Sequence, residues 1–454
     1  MVMASVNPYT GDHVKTYTAW NPTQIDAVMQ QSARAAAAWN ISAFHERSAV
    51  LYQVAIHLRA HTARYAELMT LEMGKPIREA RAEIEKCAWA CDYYAEHAAQ
   101  FLAEEFIGSD ARRSVVAYQP LGTVLAVMPW NFPFWQVFRF AAPTLMAGNA
   151  AVLKHASNVP QCSLAIEAIF RSAGLPENVF RSLLLDGAGA EALIGDPRIH
   201  AVSFTGSEAA GRRVAAAAGA HLKKSVLELG GSDAFVVLAD ADLERAAAVG
   251  VASRFLNAGQ SCIAAKRFVV VDAVADEFIQ SFSQKATTLV VGDPANENTQ
   301  MGPMARADLR TELHRQVTAS IQLGAQPLFG GAPLPGDGYF YPPSLLDNVR
   351  PGMPAYEQEL FGPVACIIRA RDAEDALRIA NDNRYGLGGS VWTRSEEKGE
   401  AYARRLQCGA AFVNGLVKSD PRLPFGGTKA SGYGRELSVH GIREFVNAKT
   451  LWIK

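Results

Sequence analysis

From position 114 onward, short apolar runs alternate with segments of helical periodicity, and this alternation constrains the fold more than any other feature of the sequence. The apolar runs predict strands at residues 122–128, 150–154, 179–185 and 201–204, with helices over 161–173 and 208–218. A second series begins near residue 234 and predicts strands at 234–238, 267–271 and 364–369, with a helix over 275–289. Strands that alternate with helices form parallel sheets covered by helices, so the sequence predicts a doubly wound α/β fold.

The two ends of the chain differ from this central pattern. Apolar residues recur at helical spacing over 23–39, 44–62 and 80–101, so the first hundred residues are expected to be helical. Residues 449–454 predict a terminal strand, and residues 113–119 are expected to form part of a protruding ribbon. Because an edge strand needs a partner, both segments suggest contact with another subunit. The length of 454 residues indicates two or three domains.

Charge and cysteine content exclude several classes of protein. The 44 Lys and Arg residues are balanced by 45 Asp and Glu residues, which argues against a nucleic-acid partner and favours a small molecule. Six cysteines without zinc-like spacing predict neither a disulfide scaffold nor a metal site. The N-terminus shows no secretory signal, and prolines interrupt the uncharged stretch 114–138. We therefore expect a cytoplasmic protein without a membrane partner.

Two glycine-containing turns could hold a phosphate group. The segment 187–192 matches the G-x-G-x-x-A form of the dinucleotide fingerprint, but no acidic residue follows at the required place, and a small-residue turn before a helix is the favoured explanation. The turn Phe204-Thr205-Gly206-Ser207 is the better candidate, because a strand ends there and a helix begins near Ser207. Free N–H groups at a helix start favour a pyrophosphate. An ordinary Ser cap is an equally good explanation from these residues alone.

A candidate nucleophile, Cys262, follows the polar turn Asn257-Ala258-Gly259-Gln260-Ser261. A cysteine in a core needs no such setting, whereas a nucleophile must be reachable and partly ionised. Three further motifs stand elsewhere in the chain: ELGG from Glu228, PWNFP around Asn131, and PFGG from residue 424. Taken singly, each allows a structural explanation, with Glu228 as a surface charge, Asn131 as a turn residue and Cys262 as inert.

Taken together and in this order, these motifs resemble the aldehyde dehydrogenase superfamily from residue 7 to the end of the chain. The segments that carry the resemblance are PWNFP at 129, Lys154, FTGS at 204, ELGG at 228, GQSC at 259, ELFGP at 359, Asn414, and PFGG with Lys429 and Ser431. A closer resemblance to the short succinate-semialdehyde dehydrogenases is suggested by Trp135, Arg139, Lys154-His155-Ala156 and Ser419-Asp420. The resemblance implies a Rossmann-like cofactor domain (1–107 and 121–231), a catalytic domain (232–430), and an oligomerisation ribbon with a C-terminal strand (108–120 and 431–454).

The resemblance also implies a role for each catalytic residue. Cys262 would attack the aldehyde as a thiolate, and the Asn131 amide and the Cys262 backbone N–H would stabilise the oxyanion. Hydride transfer would leave a thioester, which water activated by Glu228 would hydrolyse. The residues that would hold the cofactor are Trp130, Lys154, Ser157, Gly206, Ser207, Leu229, Glu359 and Phe361. This assignment places the pyrophosphate at the FTGS turn.

Ser157 indicates which cofactor the chain prefers. NAD-preferring members of the family usually carry Glu three residues after the ribose-binding Lys154, where a carboxylate accepts hydrogen bonds from ribose hydroxyls and repels a 2′-phosphate. This sequence has Ser157 there, and a hydroxyl donates to a phosphate oxygen. The sequence therefore predicts NADP as the preferred cofactor, with NAD possible if Ser157 merely permits both.

The substrate is expected to be a short semialdehyde that carries a carboxylate. Arg139 lies on the segment that lines the family's aldehyde tunnel and could bind that carboxylate in bidentate fashion. Ser419 and Ser261 would add polar contacts, with Trp135 and Phe425 as apolar walls. The alternative is that Arg139 forms a buried structural ion pair and that the tunnel accepts uncharged aldehydes.

Three alternatives of other classes follow from the same motifs. A CoA-acylating dehydrogenase would form the same thioester, but such enzymes typically lack the deacylating Glu that Glu228 supplies. A non-catalytic protein of this fold would be free to lose Cys262, Glu228 or Asn131, and all three are present. A thiol protease would need His and Asn partners for Cys262 in a recognisable motif. The subunits are expected to form a homodimer or a homotetramer.

Overall fold

The computed structural model describes residues 2–454, and it begins with an antiparallel hairpin of β1 (Val2–Val6) and β2 (His13–Thr18). The helices that follow are α1 (Pro22–Asn40), α2 (Phe44–Ala60), α3 (Thr62–Met73) and α4 (Ile77–Phe101). The expectation of helix throughout this region was wrong for the hairpin. Strand β2 is almost wholly exposed, so it shows no apolar alternation that sequence could reveal.

The first large sheet is parallel in the order β9-β8-β5-β6-β7. Before it come two ribbon strands, β3 (Glu105–Phe106) and β4 (Arg113–Pro120). The sheet strands are β5 (Thr123–Met128), β6 (Ala150–His155), β7 (Phe180–Ser182), β8 (Ile199–Thr205) and β9 (Lys224–Glu228). The helices between them are α5 (Trp135–Met146), α6 (Pro160–Ser172), α7 (Gly187–Ile194) and α8 (Glu208–Ala220). Strand β7 is shorter than the strand predicted over 179–185, and no strand was predicted at the position of β9.

The second large sheet has the order β12-β13-β14-β11-β10-β16-β17 and is parallel except for β12. Its strands, with the short β15, are β10 (Asp233–Val237), β11 (Ala265–Val271), β12 (Gln326–Phe329), β13 (Ser344–Asp347), β14 (Val364–Ala370), β15 (Tyr385–Gly386), β16 (Gly388–Trp392) and β17 (Ala410–Val413). Its helices are α9 (Leu243–Phe255), α10 (Asp272–Thr287), α11 (Ala307–Gln322), α12 (Pro354–Glu357), α13 (Ala373–Asn381) and α14 (Glu396–Ala403). A 3₁₀ turn, Leu256–Gly259, follows α9.

The end of the chain returns to both the first sheet and the ribbon. The elements are β18 (Thr428–Lys429), β19 (Gly432–Tyr433), α15 (Ser438–Arg443) and β20 (Val446–Ile453). Strand β19 pairs with β9, and β20 pairs with β4 along its whole length, with β3 on the other side of β4. The predicted terminal strand is thus present, though it starts at Val446. The ribbon exposes large apolar side chains at Phe106, Ile107, Trp452 and Ile453.

Both sheets are buried between apolar layers, as the doubly wound prediction requires. One core cluster lies under α2 to α6 and β5, a second covers the opposite face of the first sheet, and two more cover the second sheet. The chain passes from the first sheet to the second between Glu228, at the end of β9, and Asp233, at the start of β10. The α/β fold class is therefore confirmed, and the sheets meet at the predicted ELGG motif.

Among residues 2–454, no helix combines the length and the apolar composition that crossing a membrane requires. The uncharged stretch 114–138 forms β4, β5 and the start of α5. We expect strand and loop over this stretch from its sequence, which is right for residues 114–134 and wrong for 135–138, where α5 begins.

Candidate active site

The turn that precedes Cys262 is wound in the left-handed sense. Asn257 and Ala258 both have a φ of 53°, and Gly259 has a φ of 71°. Residues with a side chain rarely adopt such a φ, because the Cβ crowds the following carbonyl. A Cβ at Gly259 would lie 2.4 Å from the carbonyl oxygen of Gly362, so this position requires glycine. The turn leaves Cys262 half-buried, at the surface of a cavity.

A buried lysine fixes the loop that carries Cys262. The Lys266 Nζ donates to the carbonyl oxygens of Ser261 at 2.9 Å, Cys262 at 2.8 Å and Ala264 at 3.3 Å. Because the Lys266 ammonium group is buried, its N–H groups have few acceptors other than these carbonyl oxygens. Loss of these hydrogen bonds would leave buried polar groups unpaired, which is costly. The backbone around the nucleophile is therefore held by one side chain at the start of β11.

Asn131 is bonded to this loop from the other side. The Asn131 Nδ2 donates to the Gln260 carbonyl oxygen at 3.1 Å, and the Asn257 Nδ2 donates to the Asn131 carbonyl oxygen at 2.7 Å. An amide nitrogen carries two hydrogens, so Asn131 keeps one for a further acceptor. Asn131 itself is buried, which places this second donor in a water-poor site. The structure thus brings the predicted oxyanion donor to the loop of the predicted nucleophile.

Glu228 lies at the end of β9 and is 2 % exposed. Neither of its carboxylate oxygens has a hydrogen-bond partner among the described residues. A Cβ at Gly426 would lie 2.8 Å from Glu228 Oε1, so the glycine of the PFGG motif makes room for this carboxyl group. A buried carboxyl group without partners is costly to ionise, and such groups are typical of functional sites.

Burial raises the pKa of both the candidate nucleophile and the candidate base. The pKa of Cys262 is raised to about 12, first by burial and then by Glu359 and Glu228, while Arg139 and Lys266 lower it. Burial raises the pKa of Glu228 to about 8 against the lowering effect of Arg139. At neutral pH both groups are therefore protonated, and the reaction needs conditions in the site that remove these protons.

Glu359 and Phe361 face the same region from the second sheet. The Glu359 Oε1 accepts a hydrogen bond from the Gly231 backbone N–H at 3.0 Å and lies 3.6 Å from Lys266 Nζ. The Phe361 ring packs edge-on against Trp130, with 5.9 Å between ring centroids. Of the predicted cofactor residues, Glu359 therefore contacts the ELGG turn and Phe361 contacts Trp130, and burial raises the pKa of Glu359.

A second cavity, of about 150 Å³, lies between the first sheet and the helices α7 and α8. Its wall includes Lys154 on β6, Phe204 on β8 and Gly187 at the start of α7. Burial lowers the pKa of Lys154, and Asp186 opposes this shift. Both predicted glycine turns therefore border one cavity, since Gly187 and Phe204, the first residue of the FTGS turn, lie on its wall.

The FTGS turn begins α8 as a capped helix. Ser207 is the N-cap residue, and its Oγ accepts from the Ala210 N–H at 3.4 Å. Leu229 packs under this helix, where a Cβ at Gly211 would lie 2.3 Å from a Leu229 methyl carbon. The cap that the sequence offered as an alternative is present, and the free N–H groups at the same helix start are also available to an anion.

The residue that predicted the cofactor preference, Ser157, lies exposed in the turn after β6. Arg213 on α8 lines the same 150 Å³ cavity and forms an ion pair with Glu191. Sequence analysis missed Arg213, because an arginine on the polar face of a helix gives no signal by itself. An arginine at this cavity adds positive charge where a phosphate would bind.

The candidate substrate cavity has a volume of about 230 Å³. The predicted residues on its wall are Trp135, Arg139, Ser261, Cys262, Ser419 and Phe425. Asn131 and Glu228 are not on this wall. The five predicted substrate residues therefore share a cavity with the nucleophile, as the resemblance implies.

The Arg139 guanidinium is already paired with another side chain of the protein. It forms an ion pair with Glu436, and the two side chains are 2 % and 5 % exposed. Its Nη2 donates to Thr205 Oγ1 at 3.4 Å, and its guanidinium lies 4.7 Å from the centre of the Phe425 ring. The buried ion pair that the sequence left open as an alternative is therefore present, and Arg139 still borders the cavity.

A second cation, Lys86, lines the cavity and was missed by sequence analysis. Its Nζ donates to Ser419 Oγ at 2.8 Å and lies 4.3 Å from the centre of the Trp135 ring. Lys86 sits on α4, far in sequence from every recognised motif, among charged residues with ordinary helical spacing. Only the packing of α4 against the loop at 416–419 shows its position.

Comparison with known proteins gives consistent results over the whole length. The profile of the Aldehyde dehydrogenase family matches residues 1–451. A probable succinate-semialdehyde dehydrogenase [NADP(+)] from Synechocystis sp. is 50 % identical over 453 residues, with 100 % of both chains covered. A succinate semialdehyde dehydrogenase [NAD(P)+] from Escherichia coli K12 is 46 % identical, covering 99 % of this chain and 97 % of the relative.

A solved structure agrees with these sequence relatives. The succinic semialdehyde dehydrogenase from Streptococcus pyogenes, in complex with NADP+ as the cofactor, superimposes with a TM-score of 0.97. It is 37 % identical in sequence, and the match covers 99 % of each chain. The resemblance stated from the motifs is thereby confirmed.

Proposed function

The chain belongs to the aldehyde dehydrogenase family, and we propose that it oxidises succinate semialdehyde to succinate with NADP+ as the preferred cofactor. The observation that carries this proposal is a single site that contains all three groups. The loop of Cys262 is hydrogen-bonded to Asn131, and the unpartnered carboxyl group of Glu228 is close enough to raise the pKa of the Cys262 thiol. These groups are a nucleophile, an oxyanion donor and a base, the three that the protein must supply to form a thioester from an aldehyde, with NADP+ as the hydride acceptor, and to hydrolyse it.

In the first half of the reaction, the Cys262 sulfur bonds to the aldehyde carbon and gives a thiohemiacetal. The thiol proton must leave for this attack, and Arg139 and Lys266 are the charges that favour the thiolate. The oxyanion accepts the second Nδ2 hydrogen of Asn131 and the Cys262 backbone N–H. Each such donor typically contributes about 2.7–4 kcal/mol to transition-state stabilisation.

NADP+, when bound, supplies the acceptor for the hydride that leaves the former aldehyde carbon, and a thioester remains on Cys262. Glu228 then takes a proton from water as the water oxygen attacks the thioester carbon. The C–S bond breaks, the carboxylic acid is released, and Cys262 recovers a proton. Because neither Glu228 oxygen has a hydrogen-bond partner within residues 2–454, the carboxylate is available to bind a water molecule.

The site fits the cofactor in two places. Lys154 and Phe204 border a cavity where the adenosine and phosphate groups would bind. The N–H groups at the start of α8, after Gly206 and the Ser207 cap, would hold a phosphate, and we expect Ser157 and Leu229 to contact the cofactor as well. At the other end, Glu359 lies by the ELGG turn, where the nicotinamide ribose would bind, and Phe361, which packs on Trp130, would contact the nicotinamide ring. Ser157 leaves the ribose 2′-position without a repelling carboxylate, which favours NADP+.

The substrate would occupy the 230 Å³ cavity with its aldehyde at Cys262. Trp135 and Phe425 supply apolar contacts for the short chain, and Ser261 lies beside the nucleophile. The carboxylate of the substrate would lie at the polar end, near Arg139 and Ser419. Since Arg139 is paired with Glu436, it contributes through the N–H groups that this pair leaves free.

We also propose that the enzyme is a cytoplasmic homodimer or homotetramer, with no nucleic acid or membrane as partner. The ribbon of β3, β4 and β20 supports assembly, because β20 is an edge strand with exposed apolar side chains. The division into a cofactor domain, a catalytic domain and a ribbon stays a prediction that follows the two sheets.

Initial rates would test this proposal. We expect fast reduction of NADP+ with succinate semialdehyde, much slower reduction of NAD+, and weaker turnover of butanal, which has the same chain length without the carboxylate. Comparable rates with the two cofactors at saturation would remove the NADP preference. Turnover of butanal but not of succinate semialdehyde would refute succinate semialdehyde as the substrate.

The acyl acceptor is tested by adding CoA. Formation of free succinate at an unchanged rate supports water as acceptor, whereas succinyl-CoA would place the chain with the CoA-acylating enzymes. Cys262→Ser should abolish turnover, and Cys408→Ser, at a half-buried cysteine in a different pocket, is the matched control.

A further inference from the structure

Lys86 lines the cavity wall without a carboxylate partner in the protein. Among the described residues it forms no ion pair, and its hydrogen bond goes to the neutral hydroxyl of Ser419. The nearby acidic groups have other partners. Glu79, on the same wall, accepts a hydrogen bond from the Asn257 N–H at 2.9 Å, Glu83 pairs with Lys75, and Asp420 pairs with Arg422. A partly buried ammonium without a counter-ion favours an anion in the adjacent space.

Arg139 differs from Lys86 in this respect. Its charge is matched by Glu436 inside the protein, in a pair that is almost wholly buried. A substrate carboxylate that approached Arg139 would also meet the negative charge of Glu436. For an anion in this cavity, Lys86 is therefore the better counter-ion.

Ser419 completes the site through its unused proton. Its Oγ accepts hydrogen bonds from Lys86 Nζ at 2.8 Å and from Trp135 Nε1 at 3.1 Å. A hydroxyl that accepts two bonds still has its own hydrogen to donate. Two of the three Lys86 ammonium hydrogens are also free, so a carboxylate can receive one bond from each residue.

We propose that Lys86 and Ser419 form the carboxylate subsite, and that Lys86 sets the preference of the enzyme for an anionic aldehyde over a neutral one. The inference rests on the proposed function, because it assigns a binding site to the succinate semialdehyde carboxylate. Trp135 holds both residues in place, since it donates to Ser419 and its ring lies under the Lys86 ammonium.

The first test compares the kinetics of Lys86→Met with succinate semialdehyde and butanal. Methionine is one atom shorter than lysine, so it keeps most of the side-chain length and the apolar packing near Trp135 and removes the charge. We expect the KM for succinate semialdehyde to rise about 10- to 100-fold, as for a lost charge-assisted hydrogen bond, with a much smaller change in kcat. The KM for butanal should change by less than about threefold, and Lys86→Arg should restore part of the preference.

A matched control separates local contact from general electrostatics. Lys418 stands at the mouth of the same cavity, and it is exposed. Because exposed charges are screened, Lys418→Met should change the KM for succinate semialdehyde by less than about threefold. An equal effect of the two variants would overturn the contact that we assign to Lys86.

A pH profile provides a readout that a merely structural role would not change. Burial and then the charge of Arg139 lower the pKa of Lys86 to about 8, while Cys87, Glu83 and Asp420 raise it. The kcat/KM ratio of succinate semialdehyde to butanal cancels ionisations that affect both substrates. This ratio should fall above about pH 8 in the wild type. Glu79 on the same wall, whose pKa burial raises to about 7, titrates in both enzymes, so Lys86→Met should lack only the fall above about pH 8.

The two proposals fail in different ways. If the wild-type enzyme does not prefer succinate semialdehyde to butanal, the proposed function is wrong. If the wild type has this preference and Lys86→Met keeps it at every pH, the function stands and the role of Lys86 is refuted. A preference lost only in an Arg139 variant would likewise refute it.

Discussion

Replacing Glu228 by Gln tests the assignment of the general base and its buried environment together. Glu228 is 2 % exposed, and its oxygens have no partner among the described residues. Gln has the same shape and cannot ionise. The substitution therefore removes both the base and the cost of placing a negative charge in this site.

The size of that cost follows from the pKa. The Glu228 pKa rises from its ordinary value of 4.5 to about 8. Because the folded state holds this proton more tightly than the unfolded state, the wild type loses stability as the pH rises from about 4.5 to about 8. At about 1.4 kcal/mol per pKa unit, the full loss is about 5 kcal/mol, of which about 3 kcal/mol falls between pH 5.5 and 8.5.

Thermal unfolding at these two pH values measures this difference. The difference in Tm between Glu228→Gln and the wild type should increase by about 3 °C in favour of the variant from pH 5.5 to pH 8.5, given the entropy of unfolding expected for a chain of this length. Any fixed cost of burying the amide is the same at both pH values and drops out. Glu177→Gln, at an exposed position, is the control and should show no such change.

Kinetics of the same variant report on catalysis. Steady-state turnover should fall by about 10²- to 10⁴-fold, the usual contribution of a general base. A first, rapid release of one equivalent of NADPH should remain, because Glu228 acts after hydride transfer. A stability difference that does not depend on pH, or turnover with the pH profile of the wild type, would refute this reasoning.

Three further substitutions give distinct expectations. Ser157→Glu should shift the kcat/KM ratio from NADP+ towards NAD+ by at least about tenfold, since a carboxylate repels the 2′-phosphate; an unchanged ratio would contradict the role of Ser157. Asn131→Ala should slow the first release of NADPH by about 10²- to 10³-fold, as for a lost oxyanion donor, with its rate measured by stopped flow. Arg139→Ala leaves the buried Glu436 unpaired, so it should destabilise the protein by about 3–5 kcal/mol in chemical unfolding. A change in KM alone, at full stability, would restore Arg139 as the main carboxylate ligand.

The sequence predicted the central strands well because their buried faces give clear apolar runs. Strands β5, β6, β8 and β11 lie at or within two residues of their predicted starts. The hairpin at residues 2–18 was missed, since an exposed strand carries little apolar signal. Strand β9 was missed as well, although its last residue, Glu228, was identified from its motif.

The candidate site shows the same limit at the level of side chains. Motifs identified Cys262, Asn131 and Glu228 as candidates, because each stands in or next to a turn with an unusual sequence. Lys86 and Arg213 sit on ordinary helices, and only the packing of those helices brings them to cavities. The ion pair of Arg139 with Glu436 joins residues from distant parts of the chain, so sequence could leave it only as an alternative.

The left-handed turn before Cys262 also limits which parts of the cavity wall can be mutated to change the substrate specificity of this enzyme. Asn257 and Ala258 hold conformations that cost of order 1–3 kcal/mol each, and Gly259 admits no larger residue. A mutagenesis library that included 257–259 would consist mostly of unfolded or misaligned variants. The loop 416–419 faces the same cavity and contains no residue in the left-handed region. Diversity placed there can reshape the aldehyde pocket while the nucleophile stays in position.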